Sequence, residues 1–364
     1  MRSLLLFVFS WIIIINLFVL FTNNRLNLLP DTAYPWINPE YTFQVQDWNI
    51  FNLHSRWDSY WYLDIINNGY KYKGINELSN IVFFPVFPLS VKAIGVLLDL
   101  NFIYVGTIIN LIALIISSVI LYKISEEFHK NSNPLLSAVL FLFFPTAIFL
   151  TAFYSESLFI MFSLLFFYFV LKKNYWISAL FGMLAALTRF SGILLVIPFL
   201  IEVFSERSNR KIQNIIPAIF IPAGTLIFFV YHYLTFHDFT LFFKVQNLWG
   251  RGFTLNREHF NLLMGTSVVN FIFDGAFTIF ALISSFIVLK KLRLSYAVYM
   301  LLTIMIPLSS GTTMSIGRYL LPLFPLFILG ASLKNEVLRY LWLTISVMLF
   351  TLYSILFTAH YWAG

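Results

Sequence analysis

Long apolar runs separated by short polar joints dominate this chain. The runs cover 4–21, 103–122, 134–151, 157–171, 175–188, 191–204, 212–235, 270–289, 295–309, 319–333 and 341–358. A helix needs ~17–25 apolar residues to cross a bilayer, and most of these runs approach or reach that length. The pattern predicts an all-α polytopic membrane protein with about eleven transmembrane helices. The joints carry the basic residues: Arg2, Lys123 to Lys130, Lys172-Lys173, Arg207 to Lys211, Lys290 to Arg293 and Lys334 to Arg339. Short basic loops stay on the cytoplasmic side. That places the N-terminus inside and the C-terminus outside.

Two stretches depart from this simple alternation. Segment 82–98 is apolar but contains Pro85, Pro88 and Lys92, and reads as a partly inserted helix on the outer face. The run 175–204 lies between two basic joints and is broken at Thr188-Arg189-Phe190-Ser191-Gly192. It reads as two half-length helices with the break pointing outward. Non-helical backbone at membrane depth is tolerated only where protein buries it or where it lines a cavity. The break is therefore a site candidate. The topology leaves a long first extracytoplasmic loop, residues 22–81, and a second at 236–269. The first run lacks a small-x-small cleavage site and reads as an uncleaved helix. No internal repeat and no appended soluble segment is visible, so residues 1–364 read as a single integral membrane domain.

Composition agrees with a bilayer. The chain is 60% hydrophobic and only 11% charged, too few charges to cover a soluble surface. Its net charge of +7 belongs to the topogenic joints, so nucleic acid is not an expected partner. There is no Cys, which excludes disulfides and thiolate chemistry. The six His show no ligand spacing with paired carboxylates, and no Gly-rich phosphate loop is present. No metal and no cofactor is expected.

Candidate chemistry concentrates at His54-Ser55-Arg56-Trp57-Asp58-Ser59-Tyr60-Trp61-Tyr62-Leu63-Asp64-Ile65. Trp and Tyr favour the membrane interface, so this reads as a helix lying at headgroup depth and ended by Asn68-Gly69. Asp58, Trp61, Tyr62 and Ile65 share a stripe, and Asp64 points elsewhere. A plainer reading remains beside this one: Ser55-x-x-Asp58 resembles a capping box, with Asp in place of Glu. Asp64 reads as a solvated carboxylate. Arg189 and Arg318 lie within apolar runs, where a charge costs roughly a few kcal/mol and a functional reason is the default. Arg251 and Arg257 belong to the second outer loop. Glu156, at an outer helix turn, is a candidate to orient an Arg, to bind acceptor hydroxyls, or to take part in a helix cap with Ser155.

These residues carry a resemblance. Arg56-Trp57-Asp58-Ser59-Tyr60-Trp61-Tyr62-Leu63 with Gly69-Tyr70, then Phe83-Phe84-Pro85-Val86-Phe87-Pro88-Leu89, resembles the second GPI mannosyltransferase family and its prokaryotic relatives. Pro145-Thr146-Ala147-Ile148-Phe149, Tyr154-Ser155-Glu156-Ser157-Leu158-Phe159, Ala186-Leu187-Thr188-Arg189-Phe190-Ser191-Gly192, Arg318-Tyr319 and Phe324-Pro325 follow in order. The resemblance implies a C-type glycosyltransferase fold of the inner (plasma) membrane, active on its extracytoplasmic face. It implies a polyprenyl-phosphate sugar donor, with mannose the default sugar, and a lipid-linked or glycan acceptor. It implies that Asp58, an acid in the first outer loop, is catalytic. Arg56, Trp57, Trp61, Tyr62, Asp64, Glu156, Arg189, Arg318 and Tyr319 are the expected substrate-binding residues. In an inverting transfer a carboxylate takes the acceptor proton, and Arg neutralises the departing phosphate. Two other readings compete: a transporter or flippase of a lipid-linked sugar, and a non-catalytic subunit of a glycosyltransferase complex.

Overall fold

The computed structural model describes residues 1–26, 49–206, 209–249, 251, 268–310, 313–361 and 363. Every regular element among them is helical. In chain order the α-helices are α1 (Arg2–Arg25), α2 (Ile50–Leu53), α3 (Ser59–Asn68), α4 (Val86–Leu98), α5 (Phe102–Phe128) and α6 (Pro134–Leu142). They continue as α7 (Glu156–Leu171), α8 (Tyr175–Thr188), α9 (Val196–Ser205), α10 (Ile212–Ile215), α11 (Phe220–Phe236) and α12 (Leu241–Val245). The last are α13 (Val268–Lys291), α14 (Leu294–Ser309), α15 (Ile316–Leu320), α16 (Pro325–Ala331) and α17 (Glu336–Thr358).

Among the described residues, five helices are long and apolar enough to cross a membrane: Arg2–Arg25, Phe102–Phe128, Ile212–Phe236, Phe271–Lys291 and Glu336–Thr358. The other expected spans are shorter apolar helices, and the figure of eleven full crossings does not follow from helix length. At ~1.5 Å per residue, a 16-residue helix such as α7 or α14 measures about 24 Å, against a hydrocarbon core of ~30 Å. Two of the expected runs are not continuous helices. The run 134–151 stops at Leu142, passes Pro145 and resumes as a 3-10 turn at Ala147–Leu150. The run 319–333 divides into α15 and α16 around Pro322 and Pro325. Proline lacks the N–H that continues the ladder and restricts the residue before it, so both breaks follow from the sequence. The segment 82–98, expected as a partly inserted outer helix, forms α4, 13 residues starting just after Pro85 and closed by Asp99 at a left-handed φ of 51°. The break at Thr188–Gly192 is present. Arg189 is extended (φ −152°, ψ 147°), and a 3-10 turn over Phe190–Leu195 leads into α9.

The described residues pack as two compact units. The first comprises Met1–Lys71, Pro85–Met161 and Gly330–Ala363, and the second Tyr72–Phe84 and Phe162–Leu329. Aromatic rings fill the first. Phe87 meets Phe153 at 5.0 Å and Tyr62 at 5.1 Å, and Phe149 meets Phe357 at 5.4 Å between ring centroids. The α2 segment is pinned to α1 and to the residues after α6 by His54. Its ring nitrogens lie 3.0 Å from Asn16 Oδ1 and 3.0 Å from Thr151 Oγ1. Burial, with Arg56 nearby, pushes the His54 pKa down to about 3, so the ring stays neutral. On α1 the opposite face, with Leu6, Ile13, Ile14 and Phe21, is more than half exposed, as a lipid-facing stripe requires.

The second unit has its own core. Phe167 lies 5.5 Å from Tyr296, 5.1 Å from Tyr299 and 4.9 Å from Phe324. Its backbone crossings depend on missing side chains. A Cβ on Gly192 would sit 2.4 Å from the carbonyl carbon of Ala185 and the nitrogen of Ala186. A Cβ on Gly224 would sit 2.4 Å from the carbonyl oxygen of Met183, so α11 can approach α8 only through glycine.

Two outcomes are expected. Gly192→Ala forces backbone apart and should destabilise by about 1–3 kcal/mol, whereas Gly275→Ala, with no neighbour within 4 Å, should be neutral or slightly stabilising. Thermal unfolding in detergent measures both, and equal melting points would refute the packing argument. His54 gives the second. Its folded pKa lies below the unfolded value of 6.5, so below pH ~6.5 only the unfolded chain takes up this proton. Stability should fall by up to ~1.4 kcal/mol per pH unit as pH drops from about 6 toward 3. A melting-point series against pH should show His54→Gln removing that part of the slope.

Candidate functional site

Residues 49–68 are built as short, locally capped pieces. Asn49 caps α2 by accepting from Phe51 N at 3.1 Å, and its amide donates to Tyr104 Oη at 2.9 Å. After His54 the chain cannot continue as helix, because Trp57 takes a left-handed φ of 49°. For a bulky residue this is a true outlier, held only where the surroundings over-determine it. The surroundings are on either side of it. Tyr154 Oη accepts from the Asp58 N–H at 3.1 Å and donates to the Arg56 carbonyl at 2.9 Å, closing a clamp across Trp57. The backbone pairs there too, with Phe153 N donating to the His54 carbonyl at 3.0 Å. Asn110 backs the clamp, its amide donating to the carbonyls of Ala152 at 2.6 Å and Tyr154 at 3.0 Å.

Asp58 leaves this turn at the N-cap position of α3, yet its side chain makes no capping hydrogen bond. The capping-box alternative is therefore not what forms. Instead the Ser59 hydroxyl accepts from the Arg56 N–H at 3.0 Å. Asp58 is half-buried. Arg56 is buried at 3% exposure and donates Nη1 to the carbonyls of Asn52 at 2.9 Å and Ser55 at 3.1 Å, which fixes the turn from below. Trp61 and Tyr62 are buried on α3, and the Tyr62 hydroxyl donates to Ser155 Oγ at 2.8 Å. Next to Ser155, Glu156 opens α7 with 1% exposure. Asp64 accepts from the Asn68 amide at 2.8 Å, one turn along the same helix.

A second cluster lies in the second unit. The Arg251 guanidinium donates to Tyr319 Oη at 2.6 Å, with its Cζ 5.4 Å from the ring centroid. The Arg189 guanidinium stands 5.8 Å from the same ring. Arg318, the preceding residue, is buried at 9% exposure on the short α15. That helix follows Ser315, itself at a left-handed φ of 65°. The Ser315 N–H donates to the carboxylate of Asp274 on α13. Arg257 and His259 lie outside the described residues.

The structure thus brings Arg56, Trp57, Asp58 and Tyr62 against the 152–156 segment that ends in Glu156, and Arg189 and Arg251 to Tyr319, the residue after Arg318. Two participants escape a reading of sequence alone. Tyr154 stands inside a quoted motif but has no distinguishing local pattern, and Asp274 offers only the signal of a lone carboxylate in an apolar run. Arg251 is visible in the sequence as a loop arginine, but its pairing with Tyr319 is not.

The mannosyltransferase (PIG-V) family model matches residues 2–363. No curated protein matches the chain. A match that runs from the first helix past the last, on a chain of apolar spanning helices, makes this protein a member of the mannosyltransferase (PIG-V) family, a multi-pass membrane glycosyltransferase.

Proposed function

We propose that the protein transfers a hexose, mannose by its family, from a polyprenyl-phosphate sugar to a lipid-linked or glycan acceptor. Transfer takes place on the extracytoplasmic face of the inner membrane and inverts the anomeric carbon, with Asp58 as general base. The observation that carries this reading is the clamped left-handed turn at Trp57, which delivers Asp58 to the helix terminus without using its carboxylate as a cap. Backbone outliers of this kind cluster where geometry serves chemistry.

In the reaction the acceptor hydroxyl attacks the anomeric carbon and the Asp58 carboxylate removes its proton. The bond to the polyprenyl phosphate breaks, and the phosphate departs as an anion that needs no general acid. It needs positive charge, which Arg189, Arg251 and Arg318 supply, the forked guanidinium matching phosphate oxygens. Tyr319 keeps Arg189 and Arg251 in place through its ring and hydroxyl. Glu156 is assigned to acceptor hydroxyls. Trp57, Trp61 and Tyr62 are assigned to the sugar and its lipid stem, with Arg56 shaping the loop. Asp64 is assigned a place at the rim.

Sugar transfer by purified protein, from labelled polyprenyl-phosphate sugars to a lipid extract, tests the reading. Asp58→Asn should lower the rate by about 10²–10⁴-fold without loss of fold. Retained activity in that variant would move the base to Glu156 or Asp64, and a transporter or scaffold would ignore the change altogether. Tyr154→Phe keeps the ring but opens the clamp. It should lower kcat by roughly 10–100-fold with little change in KM, because it misplaces the base and leaves binding intact. Arg189→Gln should weaken turnover by about tenfold or more through the unneutralised phosphate.

A further inference from the structure

Away from these residues, at one end of the second unit, three basic joints converge. Lys173 Nζ bonds Glu206 Oε2 at 2.6 Å, tying 172–174 to 205–211. Asn209 donates to the same oxygen at 3.1 Å, and Arg210 donates to the Phe204 carbonyl at 2.9 Å. Arg293 Nη1 bonds Glu202 Oε2 at 3.0 Å, and Ser295 Oγ donates to Glu202 Oε1, tying in the joint at 290–293. Glu202 is buried at 7% exposure with a partner on each oxygen, so it fixes Arg293 in place. Arg293 itself remains 39% exposed. Lys172, Lys173, Arg210, Lys211, Lys290 and Lys291 are all exposed around it.

Between these joints lies a pocket of about 370 Å³ whose walls include Ile201, Phe204 and Leu294, with Arg293 at its edge. Phe204 is 43% exposed and Leu294 53% exposed. The spanning helices Ile212–Phe236 and Phe271–Lys291 begin and end at this level, which sets it at a membrane surface. Cationic side chains at headgroup depth attract anionic lipid, and apolar walls beneath them suit an acyl chain that a free phosphate lacks.

We propose that this pocket holds one anionic phospholipid of the adjoining leaflet, its phosphate on Arg293 beside the Lys290–Lys291 pair and its acyl chain along Phe204 and Leu294. The site is separate from the transfer chemistry and stands without it. Glu202 does not oppose the anion with a bare carboxylate, since Arg293 and Ser295 already engage it.

Native mass spectrometry of the full chain, released from neutral detergent with graded phosphatidylglycerol, reads the site directly. One retained lipid per protein is expected, with phosphatidylcholine of the same chains not retained and inorganic phosphate not competing. The double variant Lys290→Gln/Lys291→Gln should bind about tenfold more weakly or worse, and Leu294→Glu, which places a carboxylate at the mouth, should do the same. Neither residue holds Glu202, so melting points in phosphatidylcholine should match wild type. Equal retention of both lipids, an open-ended series of adducts, displacement by inorganic phosphate, or unchanged binding in either folded variant would each overturn the proposal.

Discussion

In hydrocarbon a backbone N–H or C=O has no water to turn to, and this constraint organises the whole chain. Helix satisfies it span by span. Wherever the helix stops at depth, side chains or neighbouring backbone must take over. The residues that do so are visible at each interruption. Asn110 serves the carbonyls of 152–154, the Tyr154 hydroxyl serves both ends of the Trp57 turn, and His54 accepts a neighbouring strand-like N–H at its carbonyl. At the break beside Arg189, Gly192 N donates to the Arg189 carbonyl at 2.9 Å, and the Thr188 hydroxyl donates to the Leu184 carbonyl at 2.7 Å. The interruptions coincide with the polar residues of interest because both need the same thing, a protein-lined environment.

That shared need explains how so few charges acquire definite places. Only 11% of residues are charged, and rings and backbone carbonyls take part in holding Arg189, Arg251 and Arg56. Tyr319 receives two guanidiniums, one over its face and one on its hydroxyl. The electron-rich ring face offsets part of the mutual repulsion of cations brought near one another.

Much of this was legible in the sequence, for physical reasons. Apolar runs mark spans directly, and the runs over 103–122, 175–188 and 212–235 became helices at nearly those bounds. Thr188–Gly192 announced its own break through an Arg and a Gly in apolar surroundings. Length alone misled where proline stood inside a run, as at Pro145, Pro322 and Pro325, because hydropathy does not register a missing N–H. The side-chain geometry was less accessible. Asp58 fitted a capping pattern, and only the tertiary contact with Tyr154 shows why the chain there turns left-handed and leaves the cap unmade. Contacts of that span, like the meeting of Arg251 with Tyr319, are properties of the fold and have no local signature.

The clamp across Trp57 joins residues 96 positions apart in the chain. A ribosome adding ~5–20 residues per second makes Tyr154 roughly 5–20 s after Asp58. Until then the left-handed turn lacks its clamp and has only its local contacts, although the first membrane helix and the acid are already in place. The nascent protein therefore passes through its insertion with the acid unaimed, and acquires a set loop only when the segment after α6 has been made and has folded against it. The order of synthesis acts as a timer on the site, and a chain released early would carry the motif without the turn that gives it direction.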